Sequence, residues 1–164
     1  MTAKEKQSIV IKTYLKPTLK LHKYLTNGQT WWRDQGDFFI IINLQNFSFN
    51  TKDHVTFCFN IGIALKAVMK NLANRSPGYH DLTVMVREGA YINDSRKNKF
   101  RTNNGYIINS DSDIKDFIKE LKIDFEDEIL QKLSELKAIE DCVQFYEKFP
   151  FWGDNLKRVI NEHY

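Results

Sequence analysis

Phe38-Phe39-Ile40-Ile41-Ile42-Asn43-Leu44-Gln45-Asn46-Phe47 and His54-Val55-Thr56-Phe57-Cys58-Phe59-Asn60-Ile61-Gly62-Ile63 are the two stretches that decide the fold. Both are dense in β-branched and aromatic residues, which suit a pleated, half-buried surface. Successive side chains of a strand point to opposite faces, so each stretch separates into two sets. Phe38, Ile40, Ile42 and Leu44 share one side, opposite Phe39, Ile41, Asn43, Gln45 and Phe47. Val55, Phe57, Phe59, Ile61 and Ile63 share one side of the second stretch, opposite Thr56, Cys58, Asn60 and Gly62. One sheet face is therefore a core surface, and the other mixes apolar and amide groups.

Working outward, Thr30-Trp31-Trp32-Arg33 and a turn at Asp34 to Gly36 complete a hairpin with Phe38 to Phe47. The polar turn Asn50-Thr51-Lys52-Asp53 is short, and short links favour antiparallel neighbours. Leu82 to Ile92 and Phe100 to Ile108 read as two further strands, with Gly105 either weakening the second or marking a bulge in it. Leu65, Val68, Met69 and Leu72 recur at helical spacing and predict a short helix.

Both ends of the chain read as helical. Lys4 to Leu25 carries Val10, Tyr14, Leu15 and Leu21 between lysines, and Pro17 should stop or kink that helix just before it. Asn27-Gly28 then marks a turn. From Ser110 the period is helical again, with Asp111 and Ser112 as N-caps and Ile114, Phe117, Ile118 and Leu121 on one stripe. Asp124 restarts the pattern, placing Glu126-Asp127-Glu128 in a first turn, where carboxylates complement the helix dipole. Ile129, Leu133, Leu136, Val143 and Tyr146 form the next stripe, ended by Pro150 and Gly153; Asp154 caps a last short helix. The expectation is one α+β domain over residues 1–164. It has a mainly antiparallel sheet of about five strands, an N-terminal helix, and C-terminal helices packed on one face.

Composition sets outer bounds. With 42% apolar and 27% charged residues, and Phe, Tyr and Trp at 12, 7 and 3, the chain can build a core without disulfides or metal. The charged start Met1 to Lys6 and the short longest apolar run imply no signal peptide and no membrane span, hence a cytoplasmic protein. Cys58 and Cys142 then read as buried, reduced thiols. Residues 1–109 hold 16 Lys+Arg and 7 Asp+Glu, net +9; residues 110–164 hold 8 and 14, net −6. Mutual attraction of the two parts within one fold is favoured over a basic binding face.

No catalytic, cofactor or metal signature emerges. His22, His54, His80 and His163 show no metal spacing, and no nucleophile elbow, phosphate loop or dinucleotide glycine motif occurs. His80-Asp81, adjacent on a strand, would point to opposite sides and make no dyad. Arg96-Lys97-Asn98-Lys99-Phe100-Arg101 is the best nucleic-acid candidate, although an exposed basic loop is usually solvated surface. The most suggestive set is Asn43, Gln45 and Asn60, polar groups on otherwise apolar strands, with Trp32 and Arg33 at the start of the same hairpin. They form either an amide ladder that fixes strand register or a recognition face, and the ladder is favoured.

Leu15-Lys16-Pro17, Gly28-Gln29-Thr30-Trp31-Trp32-Arg33, Ile42-Asn43-Leu44-Gln45 and Phe57-Cys58-Phe59-Asn60-Ile61-Gly62, in this order, resemble a bacterial family known only as domain of unknown function 4304. The resemblance covers the first 65 residues well and the strands around Arg87 and Arg101 loosely. It makes Gly28, Arg33, Asn43, Gln45, Asn60 and Gly62 family-like positions, and it implies no reaction.

The leading expectation is a non-enzymatic module that binds another protein, of which an immunity protein is one version by analogy. The alternative is a small enzyme or ligand-binding domain with a pocket on the sheet face, lined by Trp32, Arg33, Asn43, Gln45 and Asn60, with Arg87 and Arg101. Nucleic-acid binding through Arg96 to Arg101 ranks third.

Overall fold

A computed structural model describes all of residues 1–164. Seven strands form one antiparallel sheet: β1 (Leu25–Asn27), β2 (Thr30–Asp34), β3 (Phe38–Asn46), β4 (His54–Leu65), β5 (Val84–Arg87), β6 (Arg101–Thr102) and β7 (Gly105–Asn109). Their order is β1-β2-β3-β4-β7-β6, with β5 also paired to β4. The twelve-residue β4 is the spine. Its His54–Phe57 end pairs with β7, and its Asn60–Ile63 end pairs with β5 on the same edge.

The helical segments are α1 (Ala3–Val10), α2 (Lys16–Leu21), α3 (Ile114–Lys122), α4 (Leu130–Ser134), α5 (Ile139–Tyr146) and α6 (Pro150–His163). They cover one face of the sheet. Phe38, Ile40, Ile42 and Leu44 of β3 and Val55, Phe57, Phe59, Ile61 and Ile63 of β4 share a 34-residue core with Val10, Leu19, Phe117, Leu133, Tyr146 and Leu156 of the helices. Phe39, Ile41 and Ala64, on the other face, form a separate cluster. Trp32, Met69, Leu72 and Leu82 pack on it, and no helix joins them. The alternation read from the sequence thus holds on both long strands.

Several local expectations give way to tertiary demands. Pro17 does not stop the first helix. The regular α-helix is instead interrupted just before it by a π-helical turn at Ile11–Leu15, and the chain continues as α2 with Pro17 in its first turn. The helix expected from Leu65 to Leu72 is absent, because β4 continues to Leu65 and two 3-10 turns follow. Leu82 to Ile92 is strand only over Val84–Arg87 before a 3-10 turn at Glu88–Tyr91. Phe100 to Ile108 is not one strand but the hairpin β6–β7. Gly105, at φ 140°, starts its second arm in a conformation that L residues rarely adopt.

The C-terminal helices also differ in their joints. Asp113, not Asp111 or Ser112, caps α3 by accepting the N–H groups of Lys115 and Asp116. A second π-helical turn, Ile123–Ile129, joins α3 to α4, so Glu126-Asp127-Glu128 lies within a continuous helical segment rather than in a first turn. Two of its three carboxylates have fixed partners, with Tyr14 donating to Glu126 and Lys132 to Glu128. The stripe expected from Ile129 to Tyr146 is broken up: Ile129 ends the π turn, Leu133 lies in α4, Leu136 in the connection, and Val143 and Tyr146 in α5. Pro150 opens α6 instead of ending a helix. Gly153 lies inside α6, packed so close to the Tyr146 carbonyl that an added Cβ would come within 2.7 Å of it. No helix is long and apolar enough to cross a membrane.

Candidate functional site

The sheet face opposite the helices carries the amide group. The β3–β4 register sets Asn43 against Asn60 and Gln45 against Cys58, so all three amides share that face. Asn60 Nδ2 donates to Gln45 Oε1 at 2.8 Å and to Asn43 Oδ1 at 3.4 Å. Asn43 Nδ2 extends the ladder to Thr30 Oγ1 at 2.9 Å. Exposure grades along it: Asn60 is buried at 3%, Asn43 is half-buried and Gln45 is exposed. The expected amide ladder is present, and its outer rung faces solvent.

Aromatic and cationic groups surround this ladder. Arg87 is the β5 partner of Asn60 and projects from the same face. Its guanidinium lies 5.5 Å from the Phe47 ring centroid, and Nη1 reaches the Asn104 carbonyl at 3.4 Å. Phe47 stacks on Phe49, which is 63% exposed. Tyr79, also exposed, joins Asn43, Leu44 and Gln45 around a shallow depression of about 350 Å³.

The other sequence-derived candidates lie elsewhere. Trp32 shares the face but sits at its far end, against Phe39 and Ile41. Arg33 has the parity of the buried Trp31 and so belongs to the opposite face, near the Tyr24 hydroxyl. Arg101 pairs with Tyr106, on the core side, and its guanidinium stands 5.8 Å from that ring. Asn43, Gln45, Asn60 and Arg87 therefore converge, whereas Trp32, Arg33 and Arg101 do not, and the seven line no single cavity.

The basic loop borders a cleft of about 540 Å³ between the β5–β6 connection and α3. Arg96 is bound to Glu120 and, through Nε at 3.0 Å, to Asp124. Lys99 pairs with Asp116, and Arg101 Nη2 is 3.3 Å from Glu88 Oε2. Three of the four cations thus have carboxylate partners, and Lys97 alone has none. The charge asymmetry of the sequence is spent partly on joining this loop to α3.

Two buried acids went unnoticed in the sequence. Asp124 has no exposed surface, and it also accepts Asn98 Nδ2 and the Tyr106 hydroxyl, each at 2.8 Å. Glu88 is 1% exposed and fills the fork where β7 and β5 part along β4. There its Oε1 accepts the Phe59 N–H at 2.9 Å, a group with no strand partner at that point. Burial pushes the Glu88 carboxyl above its ordinary range, against the pull of the Phe59 N–H and of Arg101. Both acids could have been suspected from position: Asp124 continues the Phe117, Leu121 stripe, and Glu88 follows Val84 and Val86 at a period of two.

Remaining reactive groups are quiet. Cys58 and Cys142 are buried and unpaired, and burial pushes their thiols up to about 11 and about 12. His80 is exposed on a 3-10 turn, not a strand, and its neighbour Asp81 is engaged by Arg75. No group of three His, Cys, Asp or Glu side chains converges as a metal site would require.

Residues 15–135 match the model of the family described as Domain of unknown function (DUF4304). The match extends past the first 65 residues to take in the whole sheet, the basic cleft and α4. No curated protein and no solved structure matches the chain.

Proposed function

We propose that this chain, which belongs to the DUF4304 family, is a protein-binding module that engages its partner through the amide face of the sheet. The observation that supports the reading most is the unshielded half of that face. Helices cover one side of the sheet only, and the segment after β4 covers only the Phe39–Ile41 end of the other. At the opposite end Gln45, Arg87, Phe49 and Tyr79 stand exposed around a rigid ladder of hydrogen-bonded amides.

Tyrosine, arginine and other large aromatics are the residue types that dominate binding energy at protein interfaces. Gln45 spends its carbonyl on Asn60, and its amide N–H groups are free to donate outward. The rigid β3–β4 ladder beneath holds these groups in place, so little order has to be gained on binding.

A photo-crosslinking phenylalanine derivative placed at Tyr79, an aromatic-for-aromatic change at an exposed position, tests this reading in the native host. One discrete adduct from position 79, absent from the same residue at Lys157 on α6 and lost with Arg87→Glu, is the expected result. No adduct from position 79 under several growth conditions overturns it.

A further inference from the structure

The amide face turns its polar groups outward with one polarity. The strand registers set Thr30, Asn43, Asn60 and Arg87 in a single row across β2, β3, β4 and β5, on the side away from the helices. The side-chain carbonyls of Asn43 and of Gln45, beside that row, both turn inward to accept Asn60 Nδ2, at 3.4 and 2.8 Å. Those oxygens are used within the ladder, so what the exposed Gln45 presents outward is its N–H groups.

Arg87 ends the row with a guanidinium that is held in place but not paired. Phe47 lies under it and Nη1 reaches the Asn104 carbonyl, whereas Nε and Nη2 make no hydrogen bond within the chain. One edge of the guanidinium therefore keeps two parallel N–H groups, the fork that matches the two oxygens of a carboxylate. Of the six arginines, four lie within 4.0 Å of a carboxylate, and Arg87 and Arg33 do not. The only acid among the strand residues on the amide side is Asp34, at the far end, where Lys66 Nζ holds it at 2.7 Å.

Taking the amide face as the protein interface, a reading on which this assignment rests, we propose that the partner docks an acidic segment there. One of its carboxylates meets the Nε–Nη2 edge of Arg87, and a second oxygen accepts from Gln45, with the exposed Phe49 and Tyr79 rings alongside. Complementary charge decides which surfaces can dock, and Arg87, with no acid on that part of the face, turns away a basic one. Nucleic acid fits the same donors less well. Asn and Gln read a base edge by using carbonyl and N–H together, and both carbonyls are already taken. One cation is also few for a strand bound mainly through its phosphates.

Arg87→Lys keeps the charge and puts a primary amine at position 87, which a water-soluble carbodiimide condenses to an amide with any carboxylate in direct contact. In lysate of the native host, mass spectrometry is expected to map that linkage from position 87 to an Asp or Glu. The protein linked should be the one that the photo-crosslinker at position 79 captures. Arg87→Gln should lower the capture about tenfold, the lower end of what a hydrogen bond to a charged group carries, and Arg87→Lys by much less. Both substitutions change an exposed side chain, so the fold is kept. An adduct at position 79 without a linkage from position 87, or with full capture by Arg87→Gln, overturns the acidic partner and leaves the interface standing. A position-79 adduct that nuclease digests makes the occupant a nucleic acid and overturns it as well. With no adduct at position 79 the interface itself fails, and the acidic partner with it.

Discussion

Arg96 Nε lies 3.0 Å from Oδ1 of Asp124, a carboxylate with no solvent exposure that also receives Asn98 and the Tyr106 hydroxyl. One acid on the inner stripe of the α3–α4 segment thus fixes the β5–β6 loop and β7 together. Asp124→Ala would leave the Tyr106 hydroxyl and Asn98 Nδ2 without their acceptor, while Asn98 Oδ1 would keep the Phe100 N–H and Arg96 would keep Glu120. Breaking a buried pair from one side costs about 3–5 kcal/mol, and the surviving Glu120 contact puts this case at the lower end. Urea unfolding of the variant should show that loss with an unchanged m-value; a change below about 1 kcal/mol would remove Asp124 from this role.

Glu88 gives a pH signature of definite sign. Its folded-state pKa is raised by burial, so the fold prefers the protonated form. Wild-type stability should therefore fall as pH rises from the unfolded glutamate value, about 4.3, through the raised folded value, and then level off. Glu88→Gln cannot titrate and lacks this loss. Urea melts of both proteins from pH 4 to pH 8 should show the variant gaining on the wild type with rising pH, the other carboxylates cancelling in the difference. A gain in the opposite direction would mean that Arg101 outweighs burial.

The thiols supply a third check. With Cys58 pushed up to about 11 and Cys142 to about 12, almost no thiolate exists at pH 8, and both side chains are buried. Ellman's reagent should react with neither in the native protein and with both in guanidinium. Fast labelling of one thiol without denaturant would show that its helix or strand opens locally.

How much was legible depended on length. The long strands β3 and β4 carry nine and twelve residues, enough to display a period of two, and their faces and pairing follow from it. β1 and β6, with three and two residues, display none. A hydrogen bond from Tyr14 to Glu126 links the two π-helical turns, and of the two only Ile11–Leu15 has a local signal, Pro17 directly after it. The site was half legible. Parity alone gathers Asn43, Gln45 and Asn60, and it would also have separated Arg33 from Trp32. The sequence names Arg87 alongside them, but its place beside Asn60 follows only from the β4–β5 register.

Asn60 and Gln45 separate the structural part of the amide face from the recognition part. Asn60 is 3% exposed and donates to both Gln45 and Asn43, so Asn60→Leu keeps the volume but removes both bonds. Loss of a partner from a buried polar pair costs about 1–3 kcal/mol. Here Gln45 is exposed and regains water, and Asn43 keeps Thr30, so the expected cost is about 1 kcal/mol, the lower end of that range. Gln45→Ala removes an exposed side chain but also the 2.8 Å acceptor of the buried Asn60 amide, so it too should cost about 1 kcal/mol. If the amide face is the interface, that change should weaken partner capture as well, whereas Asn60→Leu at the same stability cost should not, because Gln45 offers the free amide donors of the ladder's outer rung. Thermal melts of both variants, with crosslinking yield from a probe at Tyr79, read the two effects independently. An unchanged melt for Asn60→Leu would sink the ladder as a structural element, and full crosslinking yield in Gln45→Ala would place the interface elsewhere.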